Sequence, residues 1–189
     1  GDLGHVSEPF SLGYYRSVQN MALTLEQGIT SVRDAGGAEL GARVAVERGY
    51  VEGPRLRLAV SIMSQTGGHG DGHRHSGIDI PLVTTTPGRP RAIADGPDEC
   101  RKVTRELLRA GADHIKICST GGVLSPADDP RHSQFTVPEI RAIVEEAEAQ
   151  GTYVMAHAQG TAGIRNALEA GVRTIEHGSS LDEEAAAAM

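Results

Sequence analysis

The sequence predicts an α/β fold: a partial (β/α)8 TIM barrel, roughly strands two to six with their helices. Three observations predict it. The phrases LEQG (25–28), LRAG (108–111), EAQG (148–151) and LEAG (168–171) each close a helical segment on a glycine, which takes the left-handed conformation without a Cβ penalty. A short apolar strand follows each glycine, and helices alternating with short strands at this spacing imply right-handed parallel βαβ units. Lys116, His157 and His177 each lie five or six residues past such a glycine. They therefore sit at the carboxyl ends of successive strands, where a barrel gathers its chemistry, and this favours a barrel over a doubly wound sheet.

The elements read in order. Ser17 to Gln27 is a helix with Met21, Ala22 and Leu25 on one face, and ITSVRD (Ile29 to Asp34) is the strand after it. Ala38 to Arg48 is a second helix ended by Gly49, and RLRLAV (Arg55 to Val60) follows the Gly53-Pro54 turn. Ser61 to Asp95, rich in Gly, Pro, Thr and His, reads as a long irregular segment over the site. Pro97 starts a third helix with Val103, Leu107 and Leu108 apolar, and HIKIC (His114 to Cys118) follows Gly111. Thr136 and Glu139 form a capping box for a helix running to Gln150. TYVMAH, a helix from Thr161 to Ala170 and VRTIEH complete the pattern, and Ser180 with Glu183 reads as a last capping box. About five strands are visible where a closed barrel needs eight, so residues 1–189 read as the central part of one domain within a longer chain.

Composition narrows the function. The chain has 189 residues and a formal net charge of −7, which argues against general affinity for nucleic acid or anionic membranes. No apolar run reaches the ~20 residues needed to span a bilayer, and no secretory signal is visible. Cys100 and Cys118 have no metal-binding or redox spacing, so a reducing, cytoplasmic setting is expected.

The chemistry concentrates in three side chains. Lys116 alternates with Ile115 and Ile117, so the isoleucines face the helices and the lysine points inward with His114 and Cys118. A desolvated lysine loses its proton readily, and its neutral amine can capture carbon dioxide as a carbamate that bridges two metal ions. The bland reading is a lysine paired with a buried carboxylate, or one at a strand mouth reaching solvent. His157 and His177 end successive strands beside it; either alone reads as a hydrogen-bonded core histidine, but together they suit zinc or a similar divalent metal.

Other polar groups divide. His69, flanked by glycines near a strand end, is a candidate substrate contact. His73 and His75 form a superficial HxH pair deep in a loop and read as solvated or locally hydrogen-bonded. STGG (Ser119 to Gly122) could cradle a phosphate through its amides, a weak motif. Asp128, Asp129, Arg131 and His132 are open between solvated and substrate-binding roles.

GITSVRDAGG, TGGHGD, HIKICSTGG, SPADDPRHSQFTVPEIRAIVEEA, VMAHAQG and TIEHG together resemble the metal-dependent amidohydrolase superfamily, in the branch of imidazolonepropionase-like proteins and Xaa-Pro dipeptidases. The resemblance implies a strand-four lysine carboxylated to bridge two metals, usually zinc, with the strand-five and strand-six histidines holding one of them: Lys116, His157 and His177. It also implies an HxH pair on the first strand and an aspartate general base on the last. Neither is present; His5 stands alone, and His-x-His is expected just upstream of Gly1. This chain resembles a fragment, without the first and last strands or any small β-sandwich domain, and is expected to be inactive alone.

The implied reaction of the complete protein is hydrolysis of a C–N amide bond in a dipeptide or N-acyl amino acid by a metal-bridging hydroxide. His69 and Gln159 would orient the carbonyl or the tetrahedral intermediate. The expected partners are that small-molecule substrate and the remaining barrel segments, with a homo-oligomer possible. Alternatives are ring opening of a cyclic amide, a metal-free phosphate-binding barrel using STGG, or a non-catalytic remnant.

Overall fold

The structure is a computed structural model that describes residues 7–123 and 128–189. His5 and residues 124–127 lie outside the described part. Helix α1 (Leu12–Glu26) begins before Ser17, whose hydroxyl donates back to the Gly13 carbonyl at 2.9 Å and so sits inside the helix rather than capping it. Strand β1 (Ser31–Arg33), helix α2 (Leu40–Glu47) and strand β2 (Arg55–Arg57) follow. β1 and β2 pair in parallel, Val32 opposite Leu56.

The expected strand through Val60 is instead broken, and the segment after it is not wholly irregular. Val60 has φ 67°, and Ser61 N–H donates to the Ala59 carbonyl at 2.8 Å, closing a γ-turn of the rare positive-φ kind. A buried β-branched residue in that region is strained by roughly 1–3 kcal/mol. The turn redirects the stave, and β3 (Ile62–Met63) resumes beside β4 (Ile115–Cys118). Asp113 spans the break: its carboxylate accepts from Leu58 N–H at 2.9 Å, and its own N–H donates to the Leu58 carbonyl at 2.7 Å. One stave therefore pairs with β1 through its first half and with β4 through its second. Arg89 ties the remaining long segment down, reaching the Gly37 carbonyl and lying 3.4 Å from Glu39.

Helix α3 (Pro97–Arg109), β4, helix α4 (Val137–Ala149), strand β5 (Val154–Ala158), helix α5 (Thr161–Glu169), strand β6 (Thr174–His177) and helix α6 (Glu183–Ala188) complete the chain. β3, β4, β5 and β6 form a parallel sheet in sequence order, as successive right-handed crossovers require.

The core lies between this sheet and its helices. Ile115, Ile117, Val154 and Ala156 pack there with Val103, Leu107, Ile140 and Ile143; each fully buried large side chain contributes on the order of 2 kcal/mol. Strand alternation then leaves His114, Lys116, Cys118, Met155 and His157 on the opposite, barrel-facing side. Glu139 accepts from the Thr136 N–H at 2.7 Å, as the capping box predicts. The box expected at Ser180 and Glu183 does not form. Asp182 is the N-cap, its carboxylate accepting from Ala185 N–H at 2.9 Å, because Ser180 is held by its own N–H on the Gln159 carbonyl. Among the described residues no helix is long and apolar enough to cross a membrane.

Candidate active site

The register of the sheet sets the site. Cys118 lies opposite His157, and Ala158 opposite His177, so the two histidines fall one step apart at adjacent strand ends. Lys116 lies within β4, one inward position below Cys118. It is 5% exposed, and burial lowers the pKa of its ammonium, with the nearby Glu176 carboxylate opposing.

His157 is buried, and its pKa falls to about 4, chiefly through desolvation, with the charges of His69, Lys116 and His177 adding to the fall. The ring is neutral at pH 7. Its Nε2 lies 2.9 Å from the Gly121 carbonyl oxygen, which can only accept, so Nε2 carries the hydrogen and Nδ1 keeps the lone pair.

His177 reaches the same place by a different route. Thr174 and Glu176 share a face, so strict alternation would turn His177 with Ile175 toward the helices. Its φ of 74°, with Gly178 N–H donating to the Glu176 carbonyl at 3.1 Å, makes a second positive-φ γ-turn at a stave end. The turn brings its ring to 4.7 Å from the His157 ring, centroid to centroid, at an interplanar angle of 72°.

His69 joins the pair. Its ring stacks on His157 with centroids 4.7 Å apart and planes 17° from parallel. Nδ1 lies 3.0 Å from Asp128 Oδ2, the backbone N–H donates to Gln134 Oε1 at 3.0 Å, and the ring rests on Gly122, where a Cβ would overlap it. Asp128 Oδ2 also accepts from Gly122 N–H at 3.1 Å, while Oδ1 is buried without a partner among the described residues. Asp128 is thus brought into the site that spacing had left undecided. Nothing local signals it; it lies twelve residues past Lys116, and only the return of the loop delivers it.

Gln159 is half-buried, and its backbone N–H donates to Thr120 Oγ1 at 3.0 Å. His73 is exposed and pairs with Asp79 at 2.7 Å, as its bland reading predicts, and His75 is exposed too. Asp129 and Arg131 form an exposed pair. The STGG amides are already occupied: Gly121 N–H donates to the His132 carbonyl at 3.1 Å and Gly122 N–H to Asp128. A carboxylate at one of these amides would repel phosphate.

Two imidazoles, one of them held neutral by burial, and a lysine whose charged form is disfavoured by burial suit a divalent cation as a donor set. The fit is partial. No three His, Cys, Asp or Glu side chains among the described residues converge as a metal ion needs, so a complete sphere requires donors beyond these.

Comparison with known proteins identifies the family. A model of the amidohydrolase family matches residues 2–188. Ochratoxinase of Aspergillus niger is 38% identical over 168 residues, covering 85% of this chain and 35% of that protein. Its crystal structure superposes with a TM-score of 0.85 at 36% identity, covering 98% of this chain and 45% of that one. A prolidase complexed with N-methylphosphonate-L-proline gives a TM-score of 0.85 at 43% identity, over 95% of this chain and 44% of that one. A Xaa-Pro dipeptidase with methionine bound in its active site gives 0.80 at 37% identity, over 90% and 42%. The chain thus spans about a third of the ochratoxinase sequence and less than half of each solved relative, as a partial barrel does.

Proposed function

Because this chain belongs to the amidohydrolase family, we propose that the whole protein hydrolyses the C–N amide bond of a dipeptide or N-acyl amino acid, with Lys116, His157 and His177 holding part of a divalent metal centre. The observation that carries this reading is the contact between His157 and His177. Their rings meet at 4.7 Å at a residue, His177, that adopts a strained backbone conformation, and strain of this kind clusters at functional sites. A divalent cation, zinc being the expected one at two per complete site, would supply Lewis-acid polarisation of the amide carbonyl and the attacking water.

The protein's own residues have distinct tasks in this scheme. Burial favours the neutral amine of Lys116. Its Nζ forms a bond to the carbon of carbon dioxide and releases one proton, and the resulting carbamate is an anionic oxygen ligand. His157, fixed by the Gly121 carbonyl, offers Nδ1. His69 and Gln159 would orient the substrate carbonyl or amide. The likeness to a prolidase carrying a proline ligand and to a Xaa-Pro dipeptidase supports a small peptide-like substrate.

The test uses the full-length protein. Elemental analysis is expected to find about two zinc per chain, with hydrolysis of dipeptides or N-acyl amino acids. Lys116→Ala is expected to lose metal and to lower kcat/KM by about 10²-fold or more. A metal-loaded enzyme that cleaves imidazolone-type cyclic amides but no linear amide would overturn the substrate class. Full metal content and activity in Lys116→Ala would overturn the metal assignment.

A further inference from the structure

We propose that Asp128 is a positioning residue that fixes the orientation and tautomer of His69, so that His69 presents Nε2 to the substrate; this rests on the amide-hydrolase reading above. Four contacts hold the imidazole. Asp128 Oδ2 lies 3.0 Å from Nδ1, Gln134 Oε1 takes the backbone N–H at 3.0 Å, Gly122 admits the ring because it has no Cβ, and the His157 ring stacks against it at 4.7 Å. A carboxylate accepts and does not donate, so Nδ1 carries the hydrogen. Nε2 of His69 then has no hydrogen-bond partner among the described residues. Both partners are nearly dry, with side-chain exposures of 9% for His69 and 6% for Asp128.

Such burial is hard to explain as surface pairing. Asp128 places one oxygen on two donors, the His69 ring and Gly122 N–H, and its other oxygen is buried without a partner among the described residues. Burying a carboxylate with one oxygen unsatisfied is unfavourable. A carboxylate held behind an imidazole is a recurrent means of fixing which ring nitrogen faces the reacting group. The dyad joins the turn after β3 to the loop after β4, so it also sets the spacing of these two loops over the strand ends.

The experiment combines kinetics with a readout that needs no turnover, on the metal-loaded full-length enzyme. Asp128→Ala is expected to lower kcat by about 10–100-fold with KM and zinc content little changed. Asp128→Asn, which keeps an acceptor oxygen, is expected to recover most of that loss. Adding His69→Ala to Asp128→Ala is expected to lower kcat less than about threefold further, because the two act as one unit. Imidazole nitrogen chemical shifts are expected to show His69 protonated at Nδ1 in the parent and tautomerically mixed in Asp128→Ala. The proposal is overturned if both Asp128 variants stay within about twofold of the parent, if the two losses multiply, or if His69 Nδ1 is unprotonated in the parent. A parent that cleaves no amide would remove the hydrolase reading, and the nitrogen shifts would still decide the dyad.

Discussion

Arg33 and Glu176 stand 143 residues apart in the chain and meet at 2.6 Å, with Arg33 also donating to Thr174 Oγ1 at 2.9 Å. Arg33 lies on the first stave and Glu176 on the last, and those strands do not pair. Four strand spacings of a flat sheet amount to about 19 Å, far beyond one arginine side chain. The five staves are therefore curled, and this ion pair crosses the interior of the unfinished cylinder. Both side chains keep contact with solvent, so Arg33→Ala is expected to lower stability by about 1 kcal/mol, less at high salt. Arg33→Lys should restore it only in part, because an ammonium can reach both neighbouring acceptors but lacks the planar, preorganised fork of the guanidinium. Urea denaturation at low and high salt measures both.

His157 makes stability depend on pH. Its pKa is about 4 in the folded chain and about 6.5 when unfolded, so between these values the unfolded state binds the extra proton. Stability is then expected to fall as pH drops from about 6.5 towards 4, by about 3 kcal/mol over the window for the metal-free protein. His157→Asn should flatten that slope. Urea midpoints at pH 7, 5.5 and 4.5 decide it.

Gly163 lies in α5, where a Cβ would overlap the Thr120 side chain and the Ser119 carbonyl, and Ser119 Oγ donates to the Gly163 carbonyl at 2.8 Å. Gly163→Ala raises helix propensity but forces backbone apart, and overpacking of this kind outweighs the gain. The expected result is a loss of about 1–3 kcal/mol in chemical denaturation. The displaced strand end should also weaken metal retention.

Cys100 and Cys118 are both buried and free, and burial pushes each thiol up to about 12. Neither is a ready thiolate at neutral pH. Alkylation in the native protein is expected to be slow and to rise sharply once denaturant unfolds the chain. Rapid native labelling at Cys118 would mean that the strand end opens.

Much of the fold was legible because helix ends and strands carry local signals. The four glycine-terminated helices and the alternation of Lys116 with Ile115 and Ile117 need only neighbouring residues to be read. Strand positions of Lys116, His157 and His177 followed from that grammar. What escaped is conformation set by distant partners. The kink at Val60 depends on Asp113 and Gly37, both remote in sequence, and valine is among the last residues that propensity would place at positive φ. Alternation alone would have turned His177 away from its neighbour. The substitution of Asp182 for Ser180 as a cap is a shift of two residues between equivalent side-chain acceptors, which sequence separates poorly. The dyad of His69 and Asp128 joins two loops 59 residues apart, a separation over which no periodicity carries.

The left-handed backbone at His177 has a further consequence. In the proposed metal centre this turn would set the side chain of exposed His177 beside the His157 ring before any cation arrives, which would lessen the ordering that capture costs. Preorganisation of this kind also makes the strand end intolerant of change. Glycine at position 177 would relax the turn and remove the ring, whereas a β-branched residue would keep the strain and offer nothing to the incoming ion.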